Sequence, residues 1–153
     1  MSEYTATISW ARGEDEFLAQ RYSRGHRWQF DGGVEVPASA SPAVVRAPWS
    51  VAAAVDPEEA FVAALSSCHL LFFLSLASKA GFVVDRYEDA ASGVLARNAA
   101  GKEVMVSVTL RPRVAWGGAR RPTDEEVGHL HHESHERCYL ANSVTTEIRV
   151  EPR

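Results

Sequence analysis

One stretch of the sequence, residues 60–77, contains no Asp, Glu, Lys or Arg and is rich in Leu, Phe and Ala. Its apolar side chains follow no single helical face, because the consecutive residues Leu70–Leu74 point in every direction around a helix. Just before it, Asp56 has the acceptor side chain of an N-cap, and Glu59 completes a capping box. The sequence therefore predicts a helix over residues 56–80 that is buried on every side.

The composition restricts the partners and the cellular location of this 153-residue chain. Its formal net charge is −4 and it has no run of Lys or Arg, which argues against binding to nucleic acid or to an anionic membrane surface. The N-terminal sequence MSEYTATISW lacks the basic and then apolar layout of a signal peptide, so we expect a cytoplasmic protein. In that compartment the two cysteines should be thiols rather than a structural disulfide.

A transmembrane interpretation of residues 60–77 is disfavoured. Ser66, Ser67 and His69 interrupt the apolar sequence, and neither an aromatic belt nor a basic flank borders it. The same residues suit a helix in the core of a soluble protein, or in a core that two subunits share. We therefore expect no membrane partner.

The rest of the sequence predicts strands on both sides of this helix and a second, shorter helix. Strands are indicated by period-two alternation of apolar and polar residues, and the second helix by Thr123 with Glu126 three residues later, another capping box. In chain order we expect N-terminal strands within residues 1–40, an irregular connection over 41–55, the central helix over 56–80, strands over 82–116, the second helix over 123–138 and a final strand over 143–151.

This order predicts a single α+β domain, residues 1–153, with mainly antiparallel strands around the long central helix. A helix that is apolar on every side needs cover on every side. One sheet and the shorter helix cover only part of it, so we expect a second copy of the chain to cover the remaining face, which gives a homodimer.

The two cysteines, Cys68 in the middle of the central helix and Cys138 near the end of the second, are candidates for redox chemistry. Each lies beside polar residues. Two thiols can cycle between a dithiol and a disulfide, with one sulfur attacking an oxidant and the other resolving the sulfenic acid. The alternative is that both are small buried hydrophobes without reactivity.

Two long stretches carry a specific combination of residues. DPEEAFVAALSSCHLLFFLSLASKAGF has a Pro-Glu-Glu sequence ahead of a mid-helix cysteine, and HERCYLANSVTTEIRVEP has a cysteine just before the last strand. Together they resemble the osmotically inducible protein C and organic hydroperoxide resistance (OsmC/Ohr) family. The resemblance implies an intertwined α+β homodimer that reduces organic hydroperoxides without a cofactor and is regenerated by a dithiol, either a lipoylated protein or a thioredoxin-like protein. It also implies that Cys68 is peroxidatic, that Cys138 is resolving, and that Glu58 and an arginine complete the site.

The arginine is assigned by its position in the sequence. A peroxidatic cysteine reacts as its thiolate, and apolar surroundings disfavour that charge, so a cation should lie nearby. Arg24 lies just before a predicted hairpin strand, where the hydroperoxide resistance branch of the family carries its arginine, and it is the first candidate. Arg27 and Arg46 are alternates. Arg46 is in the loop before the central helix, where the osmotically inducible branch places its own.

Helix geometry limits how these residues meet. Glu58 and Cys68 are ten residues apart on one helix, about 15 Å along its axis, so they cannot touch within a straight helix. If both serve one site, the central helices of two subunits must cross, so that Glu58 of one approaches Cys68 of the other. Without the resemblance, Glu58 is explained as a partner of the helix dipole. His69 follows Cys68 but points about 100° away from it, and it is kept as a secondary candidate for tuning the thiol.

In the expected mechanism, Arg24 holds the Cys68 thiolate and Glu58 fixes the guanidinium through a bidentate pair. An apolar pocket would hold the organic part of the peroxide. The candidates for lining this pocket are Phe61, Phe72 and Trp49, which are equally compatible with plain core packing.

A different interpretation of the second helix stays open. His131, His135 and Cys138 are spaced i, i+4 and i+7 and share one face, and two imidazoles with a thiolate can bind zinc or another transition metal. Under this interpretation Cys138 is a metal ligand rather than a resolving thiol. A further alternative is a family member without peroxidase turnover that binds a small apolar ligand.

Overall fold

The computed structural model describes all residues of the chain, 1–153, as an α+β protein of eight strands and two α-helices, which confirms the predicted fold class. The strands are β1 (Ala6–Ser9), β2 (His26–Phe30), β3 (Glu35–Ala38), β4 (Val83–Asp89), β5 (Ser92–Arg97), β6 (Glu103–Leu110), β7 (Pro112–Gly117) and β8 (Glu147–Val150), and the helices are α1 (Pro57–Lys79) and α2 (Asp124–Arg137). The chain divides into two compact units, Met1–Ala60 and Phe61–Arg153.

The N-terminal unit is built on the antiparallel sheet β1–β2–β3. Strands β2 and β3 form the predicted hairpin, in which Phe30 N donates to Val34 O and Gly33 adopts a φ of +83°, a conformation that favours glycine. All four residues of β1 are exposed in the single chain, and the Ile8 side chain is 59% exposed. This sheet therefore offers an apolar surface that its own chain leaves open.

Helix α1 begins with the predicted capping box. Glu59 N donates to Asp56 Oδ1 at 2.8 Å, and Asp56 N donates to Glu59 Oε2 at 3.2 Å. These two reciprocal bonds satisfy backbone donors that the first helical turn leaves without partners. Since Pro57 is the first helical residue, its missing N–H costs nothing there.

Only one stripe of α1 is buried within the single chain, formed by Leu65, His69, Phe73 and Ala77 at i, i+4 spacing. Leu71, outside this stripe, is 64% exposed. The single chain therefore covers one side of the helix, and the expected cover of its remaining face by a second copy stays a prediction. By length and composition α1 is also able to cross a membrane, a property that core helices of soluble proteins share.

The second unit contains two small apolar cores that both include α1. Phe73 and Ala77 pack with Phe82 and Leu130, next to the antiparallel pair β4–β7. Leu65 packs instead on β6 of the sheet β5–β6–β8. In this sheet β8 runs parallel to β6. Helix α1 is thus the element that the two cores share.

A glycine allows β5 to approach α1 closely. A Cβ on Gly93 would lie 2.7 Å from Val62 Cγ2 of α1 and would overlap Met105 Cε of β6. Real Cβ contacts essentially never come this close, so the helix and the sheet keep their spacing only while residue 93 has no side chain.

Arg120 links the end of α1 to the start of α2. Its guanidinium donates to Ala80 O at 2.7 Å and to Glu126 Oε1 at 3.0 Å, and it lies 4.3 Å from the centre of the Phe82 ring. At the same place Thr123 and Glu126 form the predicted capping box of α2. Hydrogen bonds of Arg120, its contact with the Phe82 ring and the capping box therefore all lie at the start of α2.

The chain after α2 differs from the predicted strand over 143–151. Residues Ala141–Ser143 form a 3-10 turn, in which Asn142 N donates to Cys138 O at 3.0 Å. Because these residues satisfy local hydrogen bonds, the strand β8 starts only at Glu147.

We predict that Gly93→Ala lowers the free energy of unfolding by about 1–3 kcal/mol, because the added Cβ overpacks the contact between β5 and α1. The matched control is Gly128→Ala in the exposed part of α2, where a Cβ meets nothing within 4 Å. That change should raise stability by up to about 1 kcal/mol through helix propensity. Urea unfolding of the three proteins measures both effects, and equal stabilities for the two variants would contradict the close approach.

Candidate active site

The structure brings the two cysteines together. Cys68 lies in the middle of α1 and Cys138 is the C-cap residue of α2, and the Cys138 thiol lies close enough to Cys68 for this neighbour to raise its pKa. Both sulfurs are free thiols. Two neighbouring free thiols are the reactants that a disulfide needs.

The two thiols differ in exposure and in protonation. Cys68 is half-buried, whereas Cys138 is only 2% exposed. Burial raises the pKa of Cys138 to about 11, and its hydrogen bond to Cys68 acts in the same direction. Cys138 is therefore protonated at neutral pH, and Ala141 N donates to its Sγ at 3.4 Å.

Beside the thiols, His69 of α1 and His131 of α2 form a buried pair. The distance between His69 Nε2 and His131 Nδ1 is 3.0 Å, and the two rings are within 9° of parallel. His131 also stacks on Phe73 with ring centroids 4.3 Å apart. A neutral imidazole has one N–H and one lone pair, so one ring donates and the other accepts.

Burial keeps this pair neutral. It lowers the pKa of both His69 and His131 to about 4, because the charged form of each ring is poorly solvated. Nearby His135 lowers the pKa of His69 further and Asp89 opposes this, while His69 itself lowers the pKa of His131. The outer nitrogens, His69 Nδ1 and His131 Nε2, are buried without hydrogen-bond partners.

Asp89, the last residue of β4, fixes the turn of α1 that carries Cys68. Ser66 Oγ donates to Asp89 Oδ2 at 2.5 Å, and Arg111 N donates to Asp89 Oδ1 at 2.6 Å. One carboxylate thus ties the helix to the junction of β6 and β7. This anchoring limits rotation of α1 two residues before the thiol.

Phe72, one of the predicted pocket residues, lies near the thiols. It lies one turn after Cys68, and its ring meets Tyr139 edge to face with centroids 5.0 Å apart. Tyr139 follows Cys138 directly and is 74% exposed. Phe61 instead packs on the Leu65 core. Trp49 belongs to the N-terminal unit, where its carbonyl accepts from Arg24 N at 2.8 Å.

The candidate arginines are all in the N-terminal unit. Arg24 donates from its guanidinium to Tyr22 O at 2.6 Å and to Gln20 O at 3.1 Å, and lies 3.7 Å from the centre of the Tyr22 ring. Arg27 pairs with Glu35 at 3.0 Å on the sheet surface. The alternate Arg46 is exposed, and its carbonyl accepts from Trp49 N.

Glu58 has an unsatisfied carboxylate. Its Oε2 atom is buried and has no hydrogen-bond partner in the single chain. The expected bidentate pair with Arg24 is therefore not formed within one copy of the chain, since Arg24 is engaged with its own loop.

The residues of the alternative metal site have different neighbours in the structure. His131 is hydrogen-bonded to His69, and Cys138 lies beside Cys68. His135 is half-buried and lines a cavity of about 320 Å³ together with His131, His132 and Ile148. No group of three His, Cys, Asp or Glu side chains is arranged to hold a metal ion.

Sequence reasoning missed the histidine pair, the anchor Asp89 and the exposed Tyr139. The available signal for the pair was the spacing of Leu130, His131, Ser134 and Cys138, which places a histidine on the buried face of α2. A histidine on each of two buried helical faces is the pattern that would have suggested a contact between them.

Three comparisons relate this geometry to known proteins. A sequence model of the family described as OsmC-like protein matches residues 51–153. Over 100% of both chains, the sequence is 50% identical to an OsmC-like protein of unknown function from Vibrio cholerae, and the two structures superpose with a TM-score of 0.98. No match was found among curated proteins.

Two more distant structures share the fold. An organic hydroperoxide resistance protein from Elizabethkingia anophelis is 18% identical with a TM-score of 0.69, covering 99% of this chain and 95% of that one. The organic hydroperoxide resistance protein OhrB of Bacillus subtilis is 18% identical with a TM-score of 0.67, covering 98% of each chain. At this identity the similarity concerns the fold alone.

We predict that the histidine pair makes the protein less stable as the pH falls from 6.5 to 4. The unfolded chain binds protons near the ordinary histidine pKa of 6.5, whereas the folded pair binds them only near 4. The contribution of the neutral pair to the free energy of unfolding is therefore fully present above pH 6.5. It falls by about 3 kcal/mol per histidine as the pH is lowered to 4.

The control is the double variant His69→Gln/His131→Asn, which keeps a hydrogen bond but has no titrating ring. Urea midpoints at pH 7, 6, 5 and 4 should fall more steeply for the parent than for this variant. If the urea midpoints of the parent and the variant change equally with pH, the pair is not neutral and buried.

Proposed function

The chain belongs to the OsmC-like protein family, and we propose that it is a cysteine-based peroxidase that reduces organic hydroperoxides in the cytoplasm as a defence against oxidative stress. The observation that carries the proposal is the contact between half-buried Cys68 and buried, protonated Cys138. A two-cysteine cycle needs one sulfur within reach of the oxidant and a second thiol against it. The fold shared with organic hydroperoxide resistance proteins adds support.

In the proposed reaction, the Cys68 thiolate attacks one peroxide oxygen. A sulfur–oxygen bond forms, the O–O bond breaks, and the alkoxide leaves and takes up a proton to become the alcohol. Cys68 is then a sulfenic acid. The Cys138 sulfur attacks the Cys68 sulfur, the S–O bond breaks, and the hydroxide leaves as water with the proton of Cys138.

An external dithiol completes the cycle by reducing the disulfide. Cys68 is the sulfur through which it would act, because Cys138 is only 2% exposed. We propose a lipoylated or a thioredoxin-like protein as the donor, since both present two thiols. The edge-to-face pair of Phe72 and Tyr139 beside the thiols supplies apolar surface for the organic part of the peroxide.

Glu58 and an arginine complete the proposed site in a homodimer. The buried Glu58 Oε2 without a partner is a carboxylate oxygen that a guanidinium would satisfy. Arg24 is the first candidate, with Arg27 and Arg46 as alternates. Exposed apolar residues such as Leu71 on α1 and Ile8 on β1 support a second copy of the chain as their cover.

We predict that one equivalent of cumene hydroperoxide removes both thiols of the parent protein and lowers its mass by about two hydrogens, as a disulfide requires. In Cys138→Ser the same treatment should leave a sulfenic acid on Cys68, which dimedone traps. Intact mass and free-thiol counts measure both outcomes.

If both thiols stay unreactive in this experiment, the peroxidase proposal is wrong. Metal content and binding of apolar ligands to the parent would then be measured, because a metal-binding or ligand-binding protein without turnover is the remaining alternative. Cys68→Ser is the control for reaction at Cys68.

We predict that Glu58→Gln slows oxidation of Cys68 by cumene hydroperoxide at least tenfold, because a neutral amide no longer fixes the arginine. The matched control is Glu59→Gln, one residue later, where Gln can keep the capping box with Asp56. Stopped-flow rates in the Cys138→Ser background isolate this first step. Equal slowing in both variants would point to damage of the helix start instead.

A further inference from the structure

Helices α1 and α2 meet through two polar contacts. One joins Cys68 to Cys138, and the other joins His69 to His131 at 3.0 Å. We propose that the His69–His131 hydrogen bond is a positioning device that holds α2 where Cys138 stands against Cys68. The inference rests on the proposed function, since this placement matters for turnover only if the two sulfurs form a disulfide.

The placement has to be accurate because a disulfide tolerates little error. Its S–S bond is about 2.05 Å long and its dihedral angle is near 90°, so an error on the order of 1 Å strains or prevents it. Cys138 lies just beyond the last residue of α2, and its N donates to His135 O at 3.1 Å. The position of its sulfur therefore follows the position of α2.

The apolar contacts between the helices do not define that position by themselves. Phe73 and Ala77 of α1 pack with Leu130 of α2, and such packing is not directional. Ser134 is buried on the same face of α2, but its hydroxyl donates to Leu130 O of its own helix. The histidine pair is thus the directional contact on the buried face between the helices, apart from the thiols themselves.

The pair also resists displacement. His69 is 1% exposed and His131 is 3% exposed, so water cannot replace a lost partner. Each ring already has one buried nitrogen without a partner, and breaking the shared bond would leave both nitrogens of both rings unsatisfied. The stacking of His131 on Phe73 at 4.3 Å restrains the ring plane as well.

His69 and Cys68 are consecutive residues of α1, so both contacts start from one turn of the helix. That turn is anchored to the sheet through Ser66 and Asp89. A fixed turn on α1 therefore sets the histidine contact, and the histidine contact sets α2 and its terminal thiol. Neither ring is hydrogen-bonded to a reacting sulfur, so both histidines are positioning residues.

The test measures how readily Cys68 and Cys138 form their disulfide without any peroxide. The reduced protein is equilibrated with mixtures of reduced and oxidised glutathione, in which oxidised glutathione accepts two electrons and the two cysteines form an S–S bond as two glutathione thiols are released. The equilibrium constant gives the effective concentration of one sulfur at the other.

The decisive comparison is His131→Phe against His131→Asn. Phenylalanine keeps the stacking on Phe73 but cannot bond to His69, and the effective concentration should fall at least tenfold. Asparagine places an amide near the Nδ1 position and should stay within threefold of the parent. The exposed residue His129 of α2 provides the control His129→Leu, which should match the parent.

The same comparison is made with His69→Phe and His69→Gln. If one variant of His131 fails to fold, the variants of His69 still test the hydrogen bond. A parent-like value for the phenylalanine variants, or an equal fall in the amide variants, would overturn the proposal. Because glutathione replaces the peroxide, the positioning role can fail while the peroxidase proposal stands.

A kinetic measurement separates positioning from general damage. In the Cys138→Ser background, oxidation of Cys68 by cumene hydroperoxide should proceed at the same rate with and without His131→Phe. A slower first step with an unchanged glutathione equilibrium would assign the histidine to peroxide reduction instead.

Discussion

The single buried stripe of α1 is the constraint on which the rest of the structure depends. Leu65 at one end packs on β6, whereas Phe73 and Ala77 at the other end pack with Phe82 and Leu130. One helix therefore serves two small cores. Cys68 directly precedes His69 of this stripe and is rotated away from its centre, so its thiol is half-buried at the edge between the core and the open face.

The difference between the two thiols follows from the places they occupy in their helices. Cys138 caps the end of α2 under a 3-10 turn, and the N–H of Ala141 points at its sulfur. Burial there keeps it protonated at neutral pH. Cys68 lies in the middle of a helix whose open face reaches solvent. The fold thus gives two identical side chains different exposure to solvent.

Much of the fold was predictable because its signals are local. Both capping boxes were read from three-residue spacings, and both are formed. Alternation located the strands, although it did not show that Arg111 separates β6 from β7. The apolar pattern of α1 did not show which of its faces the single chain buries, because periodicity reports which side chains avoid water and not which chain covers them.

The candidate site was only partly predictable for a different reason. The thiol pair was expected from a family resemblance, and its contact joins residues 70 positions apart. The contact between His69 and His131 spans 62 positions and has no local signature. On α2 the spacing of His131, His135 and Cys138 suggested one shared face, but no group of three His, Cys, Asp or Glu side chains there is arranged to hold a metal ion. Long-range pairing of this kind depends on how two helices pack.

Arg120 gives α2 one fixed end. It joins Ala80 O at the end of α1 to Glu126 in the first turn of α2, while Cys138 lies at the opposite end of a helix of 14 residues. Such a helix is about 21 Å long, so a rotation of roughly 3° about the arginine moves the far end by about 1 Å. A slight tilt of α2 at its Arg120 end therefore changes the distance between the Cys138 and Cys68 sulfurs.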